Sequence, residues 1–398
     1  MRRVWVGVVL LMCAVLLAGG TIVLAADTVK LGVVEPLTGS LKSFGDQIQK
    51  GMMMSQDEFN AKGGFTKGPL AGKQLELVFV DNESTKGKSA AIAEQFVTVD
   101  KYPIILGGYS STDVLEIGPV AEKTGVPYLT NSGATDKLSQ MGIKSVFRMN
   151  PTSTQYIAGL DDFLTNVVKP KTVAILYEDT DYGKSTSASM RTFCQKAGLQ
   201  VVFDEAYAAK SPDYNVMLLK MKATNPDVVF MVSYLMDAIL LTKQAKELGI
   251  KPKIFAGGAA GFVMPEYPVQ AGAAAENVIT ADLWAPDVKY AGAKEFAAAF
   301  RTRYNMEASY HGAQAYAVIK VVVDVLERAA SLSPADISAA LKATDMATIF
   351  APVQFGDFEN YTNQNRVPTL VRQVQKGKMV TVWPKEIAEF PYVYPLPE

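Results

Sequence analysis

Short apolar runs rich in valine, isoleucine and leucine alternate with segments of helical periodicity, and the whole alternation occurs twice. TVKLGVVE (Thr28 to Glu35) has the near-continuous apolar character of a strand buried on both faces. The next stretch, 43–61, sets Phe44, Ile48, Met52 and Phe59 at helical spacing. Strand patterns recur at Gln74 to Val80, Pro103 to Gly108 and Val126 to Thr130, separated by helical patterns over 87–99 and 112–124. A second round starts with TVAILYE (Thr172 to Glu178) and a helix over 183–197. Strand Leu199 to Tyr207, helix 214–223, strand Pro226 to Val232, a helix through Lys246 and strand Lys253 to Gly258 follow. Strands separated by helices of this length form right-handed βαβ units in a parallel sheet covered on both faces. Two rounds predict an α/β protein of two doubly wound parallel-sheet lobes. Further helices are expected over 291–304, 312–330 and 334–343, before a strand-rich tail.

Open parallel sheets hold ligands beyond the carboxyl ends of their strands, where helices begin. The loops at those places match in pairs. KSFGDQ (Lys42 to Gln47) and TDYGKS (Thr180 to Ser185) each put an aromatic-glycine pair at a helix start. GGYSST (Gly107 to Thr112) matches VSYLMD (Val232 to Asp237), and TNSGAT (Thr130 to Thr135) matches AGGAAG (Ala256 to Gly261). Facing edges of this kind would enclose one compact molecule. The Gly183-Lys184-Ser185 run is not the end of a phosphate loop, because Glu178 stands where that motif needs glycine. KGKSA (Lys86 to Ala90) fails in the same way at Asn82.

Arg2 and Arg3, the apolar run Val4 to Ala18 and the small-residue site Val23-Leu24-Ala25 have the layout of a secretory leader over residues 1–26. Removal of that leader is expected, with retention as an anchor the alternative. Without Arg2 and Arg3, the 39 basic residues become 37 against 40 acidic ones, a balance of −3 that favours neither nucleic acid nor an anionic membrane surface. Cys13 lies in the leader, so Cys194 has no internal partner and the mature chain relies on burial. His311 is the single histidine, which excludes a multi-histidine metal site, and no Gly-x-Ser-x-Gly elbow occurs. DTDYG (Asp179 to Gly183) lacks the calcium-loop oxygens at Gly183 and Met190. No enzymatic chemistry, cofactor or metal is expected.

LGVVEPLTGSLKSFGDQIQKGMMM, NAKGGF, GGYSSTDVLEIGPVAEKTGVPYL, SGAT, YEDTDYGKS and VQFGDFENYTNQNRVP occur in that order. Together they resemble the type I periplasmic solute-binding proteins of the leucine/isoleucine/valine-binding family. The resemblance implies a monomeric periplasmic receptor that captures a small carboxylate by hinge closure and delivers it to the permease of an ABC importer. A membrane-anchored sensing ectodomain is the alternative. It also implies three strand crossings, near Asn150, Leu283 and Val353. Residues 27–149 with 284–352 would then form one lobe, and 150–283 with 353–398 the other.

Carried over by position, the hydroxyls of Ser111 and Thr135 would hold the ligand's carboxylate, with Tyr109, Ser110, Gly133 and Ala134 around them. Phe44, Tyr182, Tyr234, Gly258 and Ala259 would complete the site, and Phe262 would join the aromatic lining. Relatives that take amino acids pair the ammonium group with an acidic residue. That position falls on Ala259. Either Glu35, Asp113 or Asp282 supplies the charge from elsewhere, or the ligand has no ammonium group.

Overall fold

The computed structural model describes residues 27–396. Strands β1 (Thr28–Glu35), β2 (Gln74–Asp81), β3 (Ile105–Gly107), β4 (Tyr128–Thr130) and β5 (Val146–Arg148) belong to one sheet. Strands β6 (Thr172–Glu178), β7 (Gln200–Tyr207), β8 (Val228–Val232), β9 (Ile254–Gly257) and β10 (Ile279–Asp282) belong to a second. The five run parallel in the orders β5-β4-β3-β1-β2 and β10-β9-β8-β6-β7, which are the same order. In each sheet the chain reverses direction across the sheet between the first and third strands. The crevice at such a reversal is where doubly wound sheets place their ligands.

Each sheet is completed at one edge by strands from the end of the chain. β11 (Asp345–Ala347) and β12 (Pro352–Gln354) pair only with each other, and then β13 (Gly356–Phe358) and β14 (Tyr361–Gln364) join the first sheet beside β5. β15 (Leu370–Gln375) and β16 (Lys378–Trp383) join the second sheet antiparallel to β10. The sheets are therefore mixed at that edge. The third crossing consequently lies beyond Gln364, not near Val353, because β14 pairs with Arg148 of β5 before the chain leaves the first sheet. The proposed leader, residues 1–26, lies outside the described residues. Among those described, no helix is long and apolar enough to cross a membrane.

Helix Lys42–Ala61 buries Phe44, Ile48 and Met52 along one stripe. It packs on helix Tyr310–Arg328, which returns to the first sheet from far along the chain. The crossing is close because two glycines meet there: a Cβ on Gly51 would stand 2.2 Å from the Gly312 carbonyl oxygen. Gln47 fixes the register, donating to the Glu307 carbonyl at 2.8 Å and accepting from Ser309 N–H at 3.1 Å. The start of that late helix is thereby held against the start of helix Lys42–Ala61, beside the crevice of the first sheet.

Candidate ligand-binding site

The loops after the first, third and fourth strands of both sheets converge on one interface. Helix Ser111–Thr124 follows β3 and is capped by Ser110, whose hydroxyl accepts from Asp113 N–H while Asp113 accepts from Ser110 N–H at 2.8 Å. The helix begins one residue earlier than its sequence pattern suggests. That shift occupies the Ser110 hydroxyl with capping and puts Ser111 in the first turn. The first-turn N–H groups have no carbonyl partner in a preceding turn and carry the positive end of the helix dipole.

Ser111 faces the TNSGAT loop, and its Oγ accepts from Thr135 N–H at 3.2 Å. Gly133 sits at φ +69°, and a Cβ there would come within 2.4 Å of Val114, so glycine lets the loop lie against this helix. The Ala134 carbonyl accepts from Ser153 N–H at 2.6 Å. Behind the loop stands Arg148, which the sequence did not single out. Its buried guanidinium donates to the carbonyls of Gly133 and Thr135 at 3.3 and 2.7 Å, to Ser139 Oγ at 2.7 Å and to Gln364 Oε1 at 2.5 Å. Burial lowers it to about 10, still cationic at neutral pH. A strand-ending arginine gave no sequence signal for this role. By holding the Gly133 and Thr135 carbonyls, it fixes the loop.

The second sheet contributes the aromatic jaw. Thr180 caps helix Asp181–Ala197, accepting from Gly183 N–H at 3.1 Å. TDYGKST is thus a capped helix start with Tyr182 in its first turn. A Cβ on Gly183 would stand 2.0 Å from the Glu178 carbonyl oxygen, and one on Gly45 would stand 2.0 Å from the Pro36 carbonyl oxygen. The two aromatic-glycine pairs therefore solve the same steric problem. Tyr182 donates to the Gly258 carbonyl and stacks on Tyr234 with centroids 5.4 Å apart. Tyr234 meets Tyr109 at 5.9 Å and Phe44 at 5.6 Å, and Phe44 stacks on Tyr109 at 4.7 Å. His311 closes the wall, 5.2 Å from Phe44 and 5.4 Å from Tyr109.

Polar contacts join the rims: Thr112 donates to Asp181 at 2.8 Å, Asp136 N–H donates to Ser185 Oγ at 3.1 Å, and Ser185 Oγ lies 3.4 Å from Asp136 Oδ2. The sheets are thus engaged across the interface, with Ser111 and Tyr182 both buried. Phe262, expected in the lining, instead packs edge-on against Tyr267 at 5.1 Å. The loop reaches it through positive φ angles at Ala259 (+69°) and Ala260 (+44°), which turn the chain so that the Phe262 ring lies over Gly257.

No acid appears at Ala259, whose N–H donates to Thr280 Oγ1 at 3.2 Å. The substitutes are otherwise engaged or neutral. Asp113 uses one oxygen on Ser110 N–H and the other on Asn82 and Ser89 at 3.0 and 2.8 Å. Asp282 accepts from Leu283 N–H at 2.7 Å and pairs with Arg372 at 3.4 Å, while burial pushes it up to about 6. Glu35 is fully buried with neither oxygen partnered; burial, then the nearby Asp113 charge, raises it well above its ordinary value. The sequence passed over Glu178, which accepts from Tyr234 N–H at 3.0 Å and Thr180 Oγ1 at 3.1 Å and is pushed up to about 8 by burial. Its place as last residue of β6, matching Glu35 of β1, was the signal available.

The periplasmic binding protein family matches residues 28–378 of this chain. The chain belongs to the periplasmic binding protein family. Leu/Ile/Val-binding protein homolog 7 of Brucella suis is 29 % identical over 395 residues, covering 94 % of this chain and 96 % of that protein. The Streptococcus pneumoniae branched-chain amino acid substrate-binding protein LivJ, solved with isoleucine, superposes with a TM-score of 0.79 at 27 % identity, covering 90 % of this chain and 100 % of LivJ. A solute-binding protein of an ABC transporter from Rhodopseudomonas palustris, solved with 3,4-dihydroxybenzoic acid, gives a TM-score of 0.78 at 22 % identity over 92 % of this chain and 98 % of that one. This periplasmic binding protein has the type I fold of the leucine/isoleucine/valine-binding group, and that family consists of binding proteins.

Proposed function

We propose that the protein is the extracytoplasmic receptor of an ABC importer, that it captures a small carboxylate lacking an ammonium group, and that its two lobes close on it. Ser111 and Thr135, with the first-turn amides of helix Ser111–Thr124, form the anion grip. Phe44, Tyr109, Tyr182 and Tyr234 enclose an apolar or aromatic body. Tyr109, Tyr182 and Tyr234 are all raised well above the ordinary phenol value by burial, so this wall stays uncharged. The observation that carries the reading is Ala259 at the ammonium-pairing position, with no unengaged anionic carboxylate among the described residues named above to replace it. A buried ammonium without its counter-charge would forfeit about 3–5 kcal/mol, against about 8 kcal/mol for micromolar binding. The fold itself is neutral on this choice, since it holds isoleucine in one similar protein and an aromatic acid in another.

Ligand contacts available in the closed form alone shift the population towards closure, and the Thr112–Asp181 hydrogen bond joins the two rims. Release to a permease then requires a partner that favours the open form. The test is a thermal-shift screen on protein refolded from denaturant to strip retained solute. Short aliphatic and aromatic acids should raise the melting temperature while their primary amides do not. Equal shifts from acid and amide would overturn the anion grip.

A further inference from the structure

Asp136 directly follows Thr135 of the anion loop, and its carboxylate is a meeting point for separate elements. Tyr361 of β14 donates to Oδ1 at 2.8 Å. Thr154 Oγ1 donates to Oδ2 at 3.4 Å and lies 3.2 Å from Ser189 Oγ. Ser185 completes the set from the helix that follows β6 of the second sheet. Its Oγ accepts from Asp136 N–H at 3.1 Å and donates to Oδ2 at 3.4 Å. Ser185 stands three residues beyond Tyr182 on helix Asp181–Ala197, which makes the two neighbours on its surface. One pair of residues therefore ties the loop of the proposed anion grip to the helix of the aromatic jaw.

The loop has little freedom to move by itself. Ser111 Oγ holds Thr135 N–H at 3.2 Å, Arg148 holds the Thr135 carbonyl at 2.7 Å, and Ser153 N–H holds the Ala134 carbonyl at 2.6 Å. Tyr361 engages Oδ1 and leaves Oδ2 for the opposite helix. The bonds that set the grip thus also set the place of Asp136, and a motion that parts the two sheets at this edge breaks the Ser185 contacts. An acid beside an anion grip works against the bound charge, so Asp136 contributes through what it holds and not through its own field.

Resting on the carboxylate reading and lobe closure above, we infer that Asp136 and Ser185 are a positioning pair. They fasten the anion-gripping loop to the tyrosine-bearing helix, so carboxylate affinity depends on a contact that the ligand itself does not share.

The test is calorimetric titration of the refolded full chain with 4-methylpentanoate and 3-phenylpropanoate. Ser185→Ala should weaken the better-bound acid about tenfold, the scale of losing hydrogen bonds to a charged residue. Ser185→Thr keeps the hydroxyl and should stay within about threefold of the unmutated protein. Placed on an Asp136→Ala background, the same Ser185→Ala change should cost less than about threefold, because its partner carboxylate is already gone. Comparing one serine change in two backgrounds cancels the effect of the removed charge. Full affinity in Ser185→Ala overturns the inference, and so does a threonine variant as weak as the alanine one. A tenfold loss that persists without the Asp136 carboxylate also overturns it. If an acid binds and these variants behave so, the carboxylate reading stands and this one falls. If neither acid binds, both fall.

Discussion

Glu35 and Glu178 occupy the same place in two sheets of identical strand order, each the last residue of the first strand, and both are buried. Glu178 accepts from Tyr234 N–H and Thr180 Oγ1 and so ties the start of one aromatic-bearing helix to the cap of the other. The Glu35 carboxyl group bonds to nothing among the described residues. The two lobes share a scaffold but divide the work. The second sheet spends its acid on holding Tyr182 and Tyr234 in register, whereas the first builds its edge from Ser111, Thr135 and backbone amides, backed by Arg148. An acid at an equivalent position is therefore no guide to an equivalent role; its hydrogen-bond partners are.

That division can be attacked from both sides. The largest effect is expected from Ser111→Ala combined with Thr135→Ala. Loss of two hydrogen bonds to a charged group should weaken carboxylate binding by about 3–5 kcal/mol, read by calorimetry. Unchanged affinity would move the anion grip to the other lobe. Next comes Glu178→Met, which strands Tyr234 N–H and Thr180 Oγ1 and should destabilise by about 2–4 kcal/mol. Glu35→Met loses no partner and should stay within about 1 kcal/mol of the unmutated protein in chemical denaturation. Equal losses from the two would erase the contrast. Tyr182→Ala should then cost about 1–3 kcal/mol of binding through lost aromatic contact, with folding intact.

The pH dependence gives the smallest signal. The unfolded chain releases the Glu35 proton near 4.5, while the folded protein retains it to higher pH. The folded state thus binds more protons, and stability falls as pH rises above that value. Glu178 acts in the same direction between 4.5 and about 8. Melting curves of Glu35→Gln taken from about pH 5 to about pH 8 should show a shallower decline than the unmutated protein. A decline as steep as before would mean that Glu35 ionises freely in the fold.

The parallel sheets could be read from the sequence because strands buried on both faces leave unbroken apolar runs, as in Val228–Val232. Details set by geometry could not. Ser110 and Ser111 are chemically alike, and only the helix start distinguishes the cap from the residue facing Thr135. The short strands β13 and β14 carry polar residues such as Asp357 and Asn363, so nothing in their pattern assigns them to the first sheet. Phe262 followed a loop whose positive φ angles at two alanines have no glycine signature. Arg148 was passed over because its partners are main-chain carbonyls, which leave no mark in a sequence.

The claim on which the rest depends is that this cleft grips a carboxylate and offers no counter-charge to an ammonium. It is tested most directly by titrating the refolded protein with pairs that differ only in that group: 4-methylpentanoate against leucine, and 3-phenylpropanoate against phenylalanine. The acid without the amino group should bind at least about tenfold tighter in the better-fitting pair. Tighter binding of the amino acid in both pairs would contradict the account and require an anionic partner for the ammonium at the site.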